Sequence, residues 1–444
     1  MSGLAVGLWI FAGLMFTLVM RLHVGSAMFA AGAVAFLVMN GGDANALLYT
    51  INNLGYARLS NYDLAVVPLF ILMGQFATHG GLSQALFRCA AAFIGHWKGG
   101  LAMAAAAACA GFGAICGSSL ATAATMGQVA LPELRRHGYS GRLSTGTIAA
   151  GGTLGILIPP SVPLVIYAVL TQESIGKLFM AAVIPGLIAT LGYMLVIRLV
   201  VTLNPKAGPA GERLGFRDRL AALLAVTPVL AVFVVVIVGI YDGWANPTEA
   251  ASIGAAACGL LAVSKGGLRW DGIKKSILGT AQATAMIFFV LLGADLLNAG
   301  LALTQMPVEL VQWVISSGQP PLLVLFTILL IYVFLGCVMD SLAMILLTIP
   351  IFYPVVMQLD FFGLSVADKS IWFGILALMV VEIGLVHPPL GMNLFIIQKL
   401  AKDVPYLETA KGVMPFLASD LVRILLLVFV PALSLVLVNG LAHH

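Results

Sequence analysis

Apolar runs recur along the whole chain, and short polar segments separate them. An α-helix needs about 20 mostly apolar residues to cross the hydrocarbon core of a bilayer. Basic residues separate apolar runs at 21, 98, 135–142, 206–219, 265–275 and 399–411. Loops rich in Lys and Arg stay on the cytoplasmic side of a membrane. The pattern therefore predicts an all-α polytopic membrane protein whose basic loops share one face.

Composition supports this class and removes others. Of the 444 residues, 61% are hydrophobic and 9% are charged, whereas about a quarter of a soluble domain is charged. The net charge of +4 is small and spread over short loops, so we expect no nucleic-acid partner. The five cysteines have no paired spacing, which indicates buried apolar side chains. The first apolar stretch lacks a basic leader, so we expect a retained helix.

Two apolar segments are interrupted by small and polar residues. The first, about 101–134, is interrupted at Gly117, Ser118 and Ser119 and has basic residues at both ends. We interpret it as a helical hairpin that enters from the cytoplasm and turns back. The second, about 321–357, is interrupted from Gly336 to Ser341 and has flanks without Lys or Arg, so it should enter from the opposite face. A pair of ordinary spans at each place is the alternative.

Each interrupted segment is followed by an apolar run that contains a glycine and then two adjacent prolines. The sequences are GILIPP at 155–160 and GLVHPP at 384–389. Proline removes a backbone donor and breaks a helix, and lipid offers the freed backbone groups no partner. Broken helices of this kind line a cavity inside the protein. We therefore predict two broken helices, at about 145–170 and 371–398.

These elements divide the chain into two matching halves, residues 1–203 and 219–444, joined by a polar linker at 204–218 that we place in the cytoplasm. Each half has a full span, an amphipathic stretch (82–94 and 308–315), a hairpin, a broken helix and a final span. The basic residues place the two hairpins on opposite faces. The sequence thus predicts two inverted repeats, with both chain termini on the non-cytoplasmic face.

The two tips carry oxygen atoms suited to a hard monovalent cation such as Na⁺. Asp340 is an ionisable group at membrane depth, where such groups are costly, so we expect it to have a function. Its alternative role is to cap the second helix of the hairpin, and Gly-Ser-Ser on its own also serves close helix packing. Glu382 and His387, beside and within the second break, fit either a structural or a direct role.

Other polar residues around the breaks could contact a transported molecule. We assign Thr153, Ser161 and Asn393 to substrate binding, and the positive ends of half-helices favour a carboxylate-bearing anion as cargo. Asp295 fits an inter-helix hydrogen bond as well as a transport role, and it is left out of the site. Glu249 is left out because it fits the start of a helix, where we expect Thr248 to act as the cap.

Enzyme and ATPase motifs are missing from the sequence. It has no His-Glu-x-x-His, no Gly-x-Ser-x-Gly and no glycine-rich phosphate loop that ends in Gly-Lys-Ser or Gly-Lys-Thr. The chain is therefore not expected to be an enzyme, and an ion gradient remains as the energy source for transport. A membrane-embedded enzyme of another kind, or a channel, is the competing class.

Several motifs together resemble the large membrane subunit of tripartite ATP-independent periplasmic (TRAP) transporters. The matching segments are residues 68–74 (PLFILMG), 117–119 (GSS), 151–161 (GGTLGILIPPS), 174–179 (SIGKLF), 247–250 (PTEA) and 388–395 (PPLGMNLF). The resemblance implies a sodium-driven elevator in the bacterial inner membrane, with hairpins and broken helices in a moving transport domain. It also implies a small separate four-helix membrane subunit and a periplasmic binding protein that delivers an organic acid anion.

The resemblance further implies at least two Na⁺ ions. One site would lie between Ser118, Ser119 and Gly155, and the other between Gly336, Asp340 and the stretch from Gly384 to His387. Ser118 and Ser119 would also face the substrate. His387 stands where the family pattern has Thr or Ser, so its side chain departs from the expected ligand set. A self-sufficient sodium/dicarboxylate symporter of the same superfamily remains the alternative reading.

Overall fold

The computed structural model describes residues 3–20, 22–264, 268–337 and 339–441. Within these ranges the chain forms twenty α-helices, two 3₁₀ helices at Tyr62–Ala65 and Pro205–Ala207, and no β-strand. The α-helices are α1 Gly3–Val19, α2 Val24–Met39, α3 Ala44–Leu59, α4 Val66–His79, α5 Leu82–Ile94, α6 Gly100–Cys116, α7 Ser119–Arg136, α8 Gly141–Leu157, α9 Val162–Thr171, α10 Ile175–Leu203, α11 Phe216–Tyr241, α12 Pro247–Ser264, α13 Trp270–Leu303, α14 Met306–Ser316, α15 Pro321–Gly336, α16 Ser341–Gln358, α17 Val366–Val386, α18 Met392–Leu400, α19 Tyr406–Phe429 and α20 Ala432–Leu441. The predicted all-α class is confirmed.

Length and hydropathy identify the helices that can cross a membrane. Seven spans in the described ranges are long and apolar enough, with α8 and α9 together forming one of them. A bent pair, α3 followed by the segment Tyr62–His79 with a 60° angle between its parts, makes up to eight. Shorter apolar helices, α6 and α15 among them, accompany these spans. The chain is a multi-pass membrane protein.

Both interrupted segments form pairs of helices that pack against each other, α6 with α7 and α15 with α16. Between α6 and α7, Gly117 has a φ of 63°, a left-handed conformation that glycine adopts without strain. The Ser118 hydroxyl then caps α7 by accepting from the Ala121 amide at 3.4 Å. At the second tip Asp340 caps α16. Val338, part of the second predicted tip, lies outside the described residues.

Each Pro-Pro pair interrupts a helix. α8 ends at Leu157 and α9 begins at Val162, while α17 ends at Val386 and α18 begins at Met392. Both Pro-Pro peptide bonds are cis. In the most apolar windows, 83% of the residues of the α8–α9 span and 100% of those of α17 are buried, against 22% for α11. The broken helices therefore lie at the centre of the molecule, where protein groups surround the freed backbone.

Outside this centre, α2 and α13 approach closely through glycines. Gly25 and Gly32 of α2 face Gly293 and Gly300 of α13, with a spacing of seven residues on each helix. A Cβ atom on Gly293 would lie 2.6 Å from the Gly25 carbonyl oxygen, and one on Gly300 would lie 2.9 Å from the Gly32 oxygen. Small residues allow such close backbone contact between membrane helices.

The polar linker between the halves is bonded to its surroundings. Its backbone hydrogen bonds are Gly99 N to Gly208 O, Ser140 N to Ala207 O and Gly211 N to Gly95 O, each 3.0 Å long. The Tyr139 hydroxyl donates to the Pro209 carbonyl at 2.9 Å, and burial raises the pKa of Tyr139, so this donor stays protonated. The linker is thereby fixed to the bases of α5, α6 and α8. α11 begins at Phe216, before the boundary expected at residue 219.

One helix start differs from the expectation. α12 begins at Pro247, and its cap is Asn246 rather than Thr248. The Asn246 side chain accepts from the Glu249 amide at 2.8 Å, and the Glu249 carboxylate accepts from the Asn246 amide at 2.9 Å. This reciprocal pair satisfies two helix-end donors, so the prediction for Thr248 was wrong. Glu249 does belong to a helix start, as its sequence context indicated.

Candidate functional site

The first tip lies against the first broken helix. A Cβ atom on Gly155 would lie 2.4 Å from the Thr122 hydroxyl oxygen and 2.8 Å from the Ser118 carbonyl oxygen. On the facing arm of the hairpin, a Cβ on Gly113 would lie 2.5 Å from the Gly155 Cα. The predicted neighbours Ser118 and Gly155 are thus together. Because no side chain separates Gly113 from Gly155, the carbonyl and hydroxyl oxygens of the tip and of the broken helix lie close together. We call such a contact between a tip and a broken helix a crossing.

The second tip lies against the second broken helix in the same manner. A Cβ atom on Gly336 would lie 2.8 Å from the Gly384 Cα. The Asp340 carboxylate accepts from the amides of Leu342 at 3.2 Å and Ala343 at 3.4 Å. One oxygen, Oδ2, accepts both bonds, and Oδ1 takes no part in this cap. Asp340 therefore caps α16 through one carboxylate oxygen, and the other oxygen can accept further bonds.

His387 lies at the end of α17, next to this crossing. Its amide donates to the Gly384 carbonyl at 3.2 Å, and its carbonyl accepts from the Gly391 amide at 3.0 Å. The side chain is half-buried. The backbone of His387 thus bridges the broken stretch, and the Gly384 carbonyl is already engaged there.

Three further predicted residues lie in the interior. Asn393, at the start of α18, donates from Nδ2 to the Ser119 hydroxyl at 2.8 Å and to the Ala149 carbonyl at 3.1 Å. This bond joins the second broken helix to the first tip. Ser161 donates to the Ile156 carbonyl at 2.5 Å across the first break. Thr153 faces Tyr193 instead, with 3.2 Å between the two hydroxyl oxygens.

The sites hold few strong ligands for multivalent metals. In the ranges that the structure describes, no three or more His, Cys, Asp and Glu side chains cluster where they could hold a metal ion. The groups present at the two crossings are carbonyls, hydroxyls and one carboxylate. Such oxygen ligands suit a hard monovalent cation at a broken helix, and the first turns of α7 and α16 add positive helix-end potential for an anion.

Several functional candidates escaped the sequence reasoning. Thr122 was missed although its buried hydroxyl has no hydrogen-bond partner among the described residues and points to Gly155. A serine-threonine pattern around the tip was the available signal. Arg423 and Asp420 of α19 were also missed, and they form a fully buried ion cluster with Glu382 of α17. Two charges of opposite sign, three residues apart within an apolar span, could have indicated it.

Asp295 has the inter-helix role that its position allowed. Its Oδ1 accepts from the Arg58 Nη2 at 2.6 Å, and Arg58 Nε donates to the other carboxylate oxygen. The pair joins α13 to α3 and lines a cavity of about 800 Å³ whose other walls include the α9–α10 turn and α16. This cavity lies apart from the residues that form the two tip crossings, since none of them lines it.

A multi-pass helical protein with two hairpin tips packed on two broken helices has the architecture of a secondary transporter. The family described as "Tripartite ATP-independent periplasmic transporter, DctM component" matches residues 11–433. The chain belongs to this family. It is accordingly a TRAP transporter large permease subunit and not an enzyme.

Individual proteins agree with this membership. The chain is 34% identical, over 93% of both sequences, to the C4-dicarboxylate TRAP transporter large permease protein DctM of Pseudomonas aeruginosa. It is 32% identical to the ectoine TRAP transporter large permease protein TeaC of Halomonas elongata, over 92% of this chain and 93% of that protein. The crystal structure of the Alcanivorax borkumensis YdaH transporter has a similar fold, with a TM-score of 0.61 at 14% identity over 87% of this chain and 88% of that one.

Proposed function

We propose that this permease imports organic acid anions with Na⁺, and that the two tip crossings are its cation sites. The observation that carries the proposal is the repetition of one geometry: Gly113 against Gly155, and Gly336 against Gly384. In both places a capped hairpin tip lies on a broken helix. Two equivalent crossings in one chain supply two equivalent sets of backbone oxygens for ions.

The first site would use Ser118, Ser119 and Gly155, and we add Thr122. Its hydroxyl is buried without a partner and lies beside the Ser118 carbonyl, as judged from their common contact with Gly155. A buried hydroxyl without a partner costs about 1–3 kcal/mol, and a bound cation would remove that cost. Thr122 is therefore the side chain best placed to complete this site.

The second site would use Gly336, Asp340, Gly384 and His387. Asp340 supplies the negative charge through the carboxylate oxygen that does not cap α16. His387 would contribute through its backbone carbonyl oxygen, which lies within the broken stretch. This arrangement makes the unusual histidine side chain compatible with a cation site.

The cargo would bind between the first tip and α18. Ser119 and Asn393 are already hydrogen bonded there, and the N-terminal turns of α7 and α18 favour an anion. Ser118 belongs to the first tip and Ser161 to the break that lies against it, whereas the Thr153 hydroxyl lies 3.2 Å from that of Tyr193. We therefore assign Thr153 a supporting role. Relatives named for C4-dicarboxylates and for ectoine indicate that family membership alone leaves the particular acid open.

The transport movement would be of the elevator type, in two inverted repeats. Residues 1–203 and 219–444 would each contribute a hairpin and a broken helix, with the hairpins on opposite faces as the positive-inside rule favours. Helices such as α2 and α13, locked together by their glycines, would form the static scaffold. We place the protein in the bacterial inner membrane with both termini in the periplasm.

Two partners complete the proposal: a small separate membrane subunit that braces the scaffold, and a periplasmic binding protein that delivers the cargo. The test is uptake into proteoliposomes of a panel of radiolabelled carboxylates, with every combination of the three proteins. We expect uptake only with all three and with an inward Na⁺ gradient. Uptake by this chain alone would refute the tripartite assembly and favour a self-sufficient symporter, while gradient-independent conductance would favour a channel.

A further inference from the structure

A buried polar network connects equivalent positions of the two broken helices. Thr153 lies two residues before Gly155, and Glu382 lies two residues before Gly384. Between them, the Tyr193 hydroxyl donates to Asp420 Oδ2 at 2.9 Å and lies 3.2 Å from the Thr153 hydroxyl. The Thr153 hydroxyl has one proton, which it shares between Tyr193 and the Ala150 carbonyl at 2.8 Å. The network therefore starts and ends at matching places beside the proposed cation crossings.

Arg423 closes the connection. Its Nη2 lies 2.9 Å from Asp420 Oδ1 and donates to Glu382 Oε2 at 3.1 Å. The guanidinium carbon also lies 6.0 Å from the centre of the Tyr193 ring, within the range of a cation–π contact. Four helices meet here, because Thr153 belongs to α8, Tyr193 to α10, Glu382 to α17, and Asp420 and Arg423 to α19.

Burial of these charges is not explained by stability. The exposed fractions are 0% for Glu382, 1% for Asp420 and 3% for Arg423. Buried ion pairs often contribute less than well-packed apolar side chains of similar volume, and ionisable residues at membrane depth indicate function. In the described part of the chain, Glu382 Oε1, Asp420 Oδ1, and Arg423 Nε and Nη1 have no hydrogen-bond partner, so Asp420 and Arg423 are joined by charge alone. The cluster thus contains buried polar atoms that could still form hydrogen bonds.

The network lies on the far side of each broken helix from the tip. Consecutive helix residues are rotated by about 100°, so positions two apart differ by about 200°. Gly155 faces the first tip while Thr153 faces Tyr193, and Gly384 faces Gly336 while Glu382 faces Arg423. Each broken helix is therefore held between a tip on one side and the network on the other. Arg423 already occupies the space between the carboxylates, so the network acts by positioning rather than as another cation site.

We propose that the Thr153–Tyr193–Asp420–Arg423–Glu382 network positions the two broken helices jointly, so that Na⁺ binding at one crossing favours Na⁺ binding at the other. The inference rests on the proposed function, because it assumes a cation site at each crossing. Coupling of this kind is reciprocal between the sites. Tyr193 is the central positioning residue, since its hydroxyl is the link between the first broken helix and α19.

The test is binding of radioactive sodium to the full chain, isolated in the complex it forms in the membrane, with potassium keeping the ionic strength constant. Two coupled sites give a Hill coefficient above 1 and at most about 2. We expect the coefficient of the Tyr193→Phe variant to fall to about 1. Tyr167→Phe is the matched control, because the Tyr167 hydroxyl is also buried and donates to the Ser370 carbonyl at 2.6 Å, outside the network. This control should bind sodium as the wild type does.

The outcomes separate the inference from the proposed function. A wild type that shows no sodium-specific binding contradicts sodium coupling, and the inference falls with it. Specific binding without cooperativity in the wild type, or unchanged cooperativity in Tyr193→Phe, overturns the network alone. An equal loss of cooperativity in Tyr167→Phe also overturns the role of the network, since any buried tyrosine hydroxyl would then have the same effect. If Tyr193→Phe does not assemble, Thr153→Val removes the first link with little change in shape, and the same criteria apply.

Discussion

Gly336 and Gly384 touch through their backbones: a Cβ atom on Gly384 would lie 2.5 Å from the Gly336 Cα. Gly113 and Gly155 make the corresponding contact in the first half, at the same 2.5 Å. Real Cβ atoms do not approach other heavy atoms so closely, so each of these crossings requires glycine. The tips and broken helices are consequently held at backbone contact, which brings their carbonyl groups together.

The first prediction concerns this contact. Gly384→Ala should separate the second tip from α17, because the added methyl group meets the Gly336 backbone rather than a flexible side chain. Overpacking of this kind costs about 1–3 kcal/mol. We expect sodium-dependent uptake to fall at least tenfold, measured in proteoliposomes together with the thermal unfolding temperature.

Gly239→Ala is the control for this substitution. Nothing lies within 4 Å of a Cβ atom at Gly239 in α11, and alanine is favoured over glycine in a helix by up to about 1 kcal/mol. Its uptake should equal that of the wild type. Wild-type uptake by Gly384→Ala as well would show that the second crossing takes no part in sodium-dependent uptake.

Substitutions of Asp340 can separate its helix-capping role from the effect of its negative charge. Asn caps a helix about as well as Asp, so Asp340→Asn should preserve the start of α16 while removing the carboxylate charge. We expect the sodium concentration for half-maximal uptake to rise at least tenfold. Asp340→Ala, which loses both functions, should abolish sodium-dependent uptake with the protein still folded.

A second capping aspartate provides the comparison. Asp43 accepts from the Asn45 amide at 2.9 Å and from the Ala46 amide at 3.3 Å at the start of α3, far along the chain from either tip. Asp43→Asn should leave the sodium dependence unchanged. The same sodium dependence in Asp340→Asn as in the wild type would exclude Asp340 from a cation site.

The Asn393–Ser119 bond should couple the second broken helix to the first tip. Both side chains are buried, at 0% and 2% exposure, so removing one leaves the other without its 2.8 Å partner. In a double-mutant cycle with Ser119→Ala and Asn393→Ala, we expect a coupling of about 1 kcal/mol in stability. Each single variant should also raise the KM for the transported acid. Strict additivity in both measurements would show that the bond does not link the two elements.

The ion pair between Arg58 and Asp295 should matter for stability. Only 22% of the Arg58 side chain and 7% of the Asp295 side chain are exposed. Arg58→Met therefore leaves the Asp295 carboxylate buried and unpaired, which costs about 3 kcal/mol of stability. The double change Arg58→Met with Asp295→Leu should restore most of the loss. Thermal unfolding of the purified chain measures both.

An exposed pair serves as the reference for this prediction. Arg135 and Asp403 also form an ion pair, but 39% and 60% of their side chains are exposed. Breaking it with Arg135→Met should cost less than about 1 kcal/mol. Equal effects of Arg58→Met and Arg135→Met would contradict the role given to burial.

Local features of the fold could be predicted from the sequence. The spans follow from runs of apolar residues, and the helix breaks follow from Pro159–Pro160 and Pro388–Pro389, where a donor is missing in each run. The cap formed by Asp340 was one of two roles considered for it. These features depend on neighbours in sequence, so periodicity and turn chemistry suffice to locate them.

Long-range contacts could not be predicted in the same way. Asn393 meets Ser119 across 274 positions of the chain, and Arg58 meets Asp295 across 237. Nothing in the spacing of such residues identifies the partner. Thr153 is a further example, because nothing in the sequence indicates that its hydroxyl lies 3.2 Å from that of Tyr193. For Thr248, the competing cap Asn246 directly precedes the proline that begins α12.

The most direct test of the central claim is the entry of radioactive sodium together with the transported acid in proteoliposomes that contain the complete complex. Two cation sites predict at least two Na⁺ entering per acid molecule, with Gly155→Ala and Gly384→Ala each lowering this coupled flux at least tenfold. Full uptake of the acid with no accompanying sodium, in the wild type, would contradict the assignment of the two crossings as sodium sites.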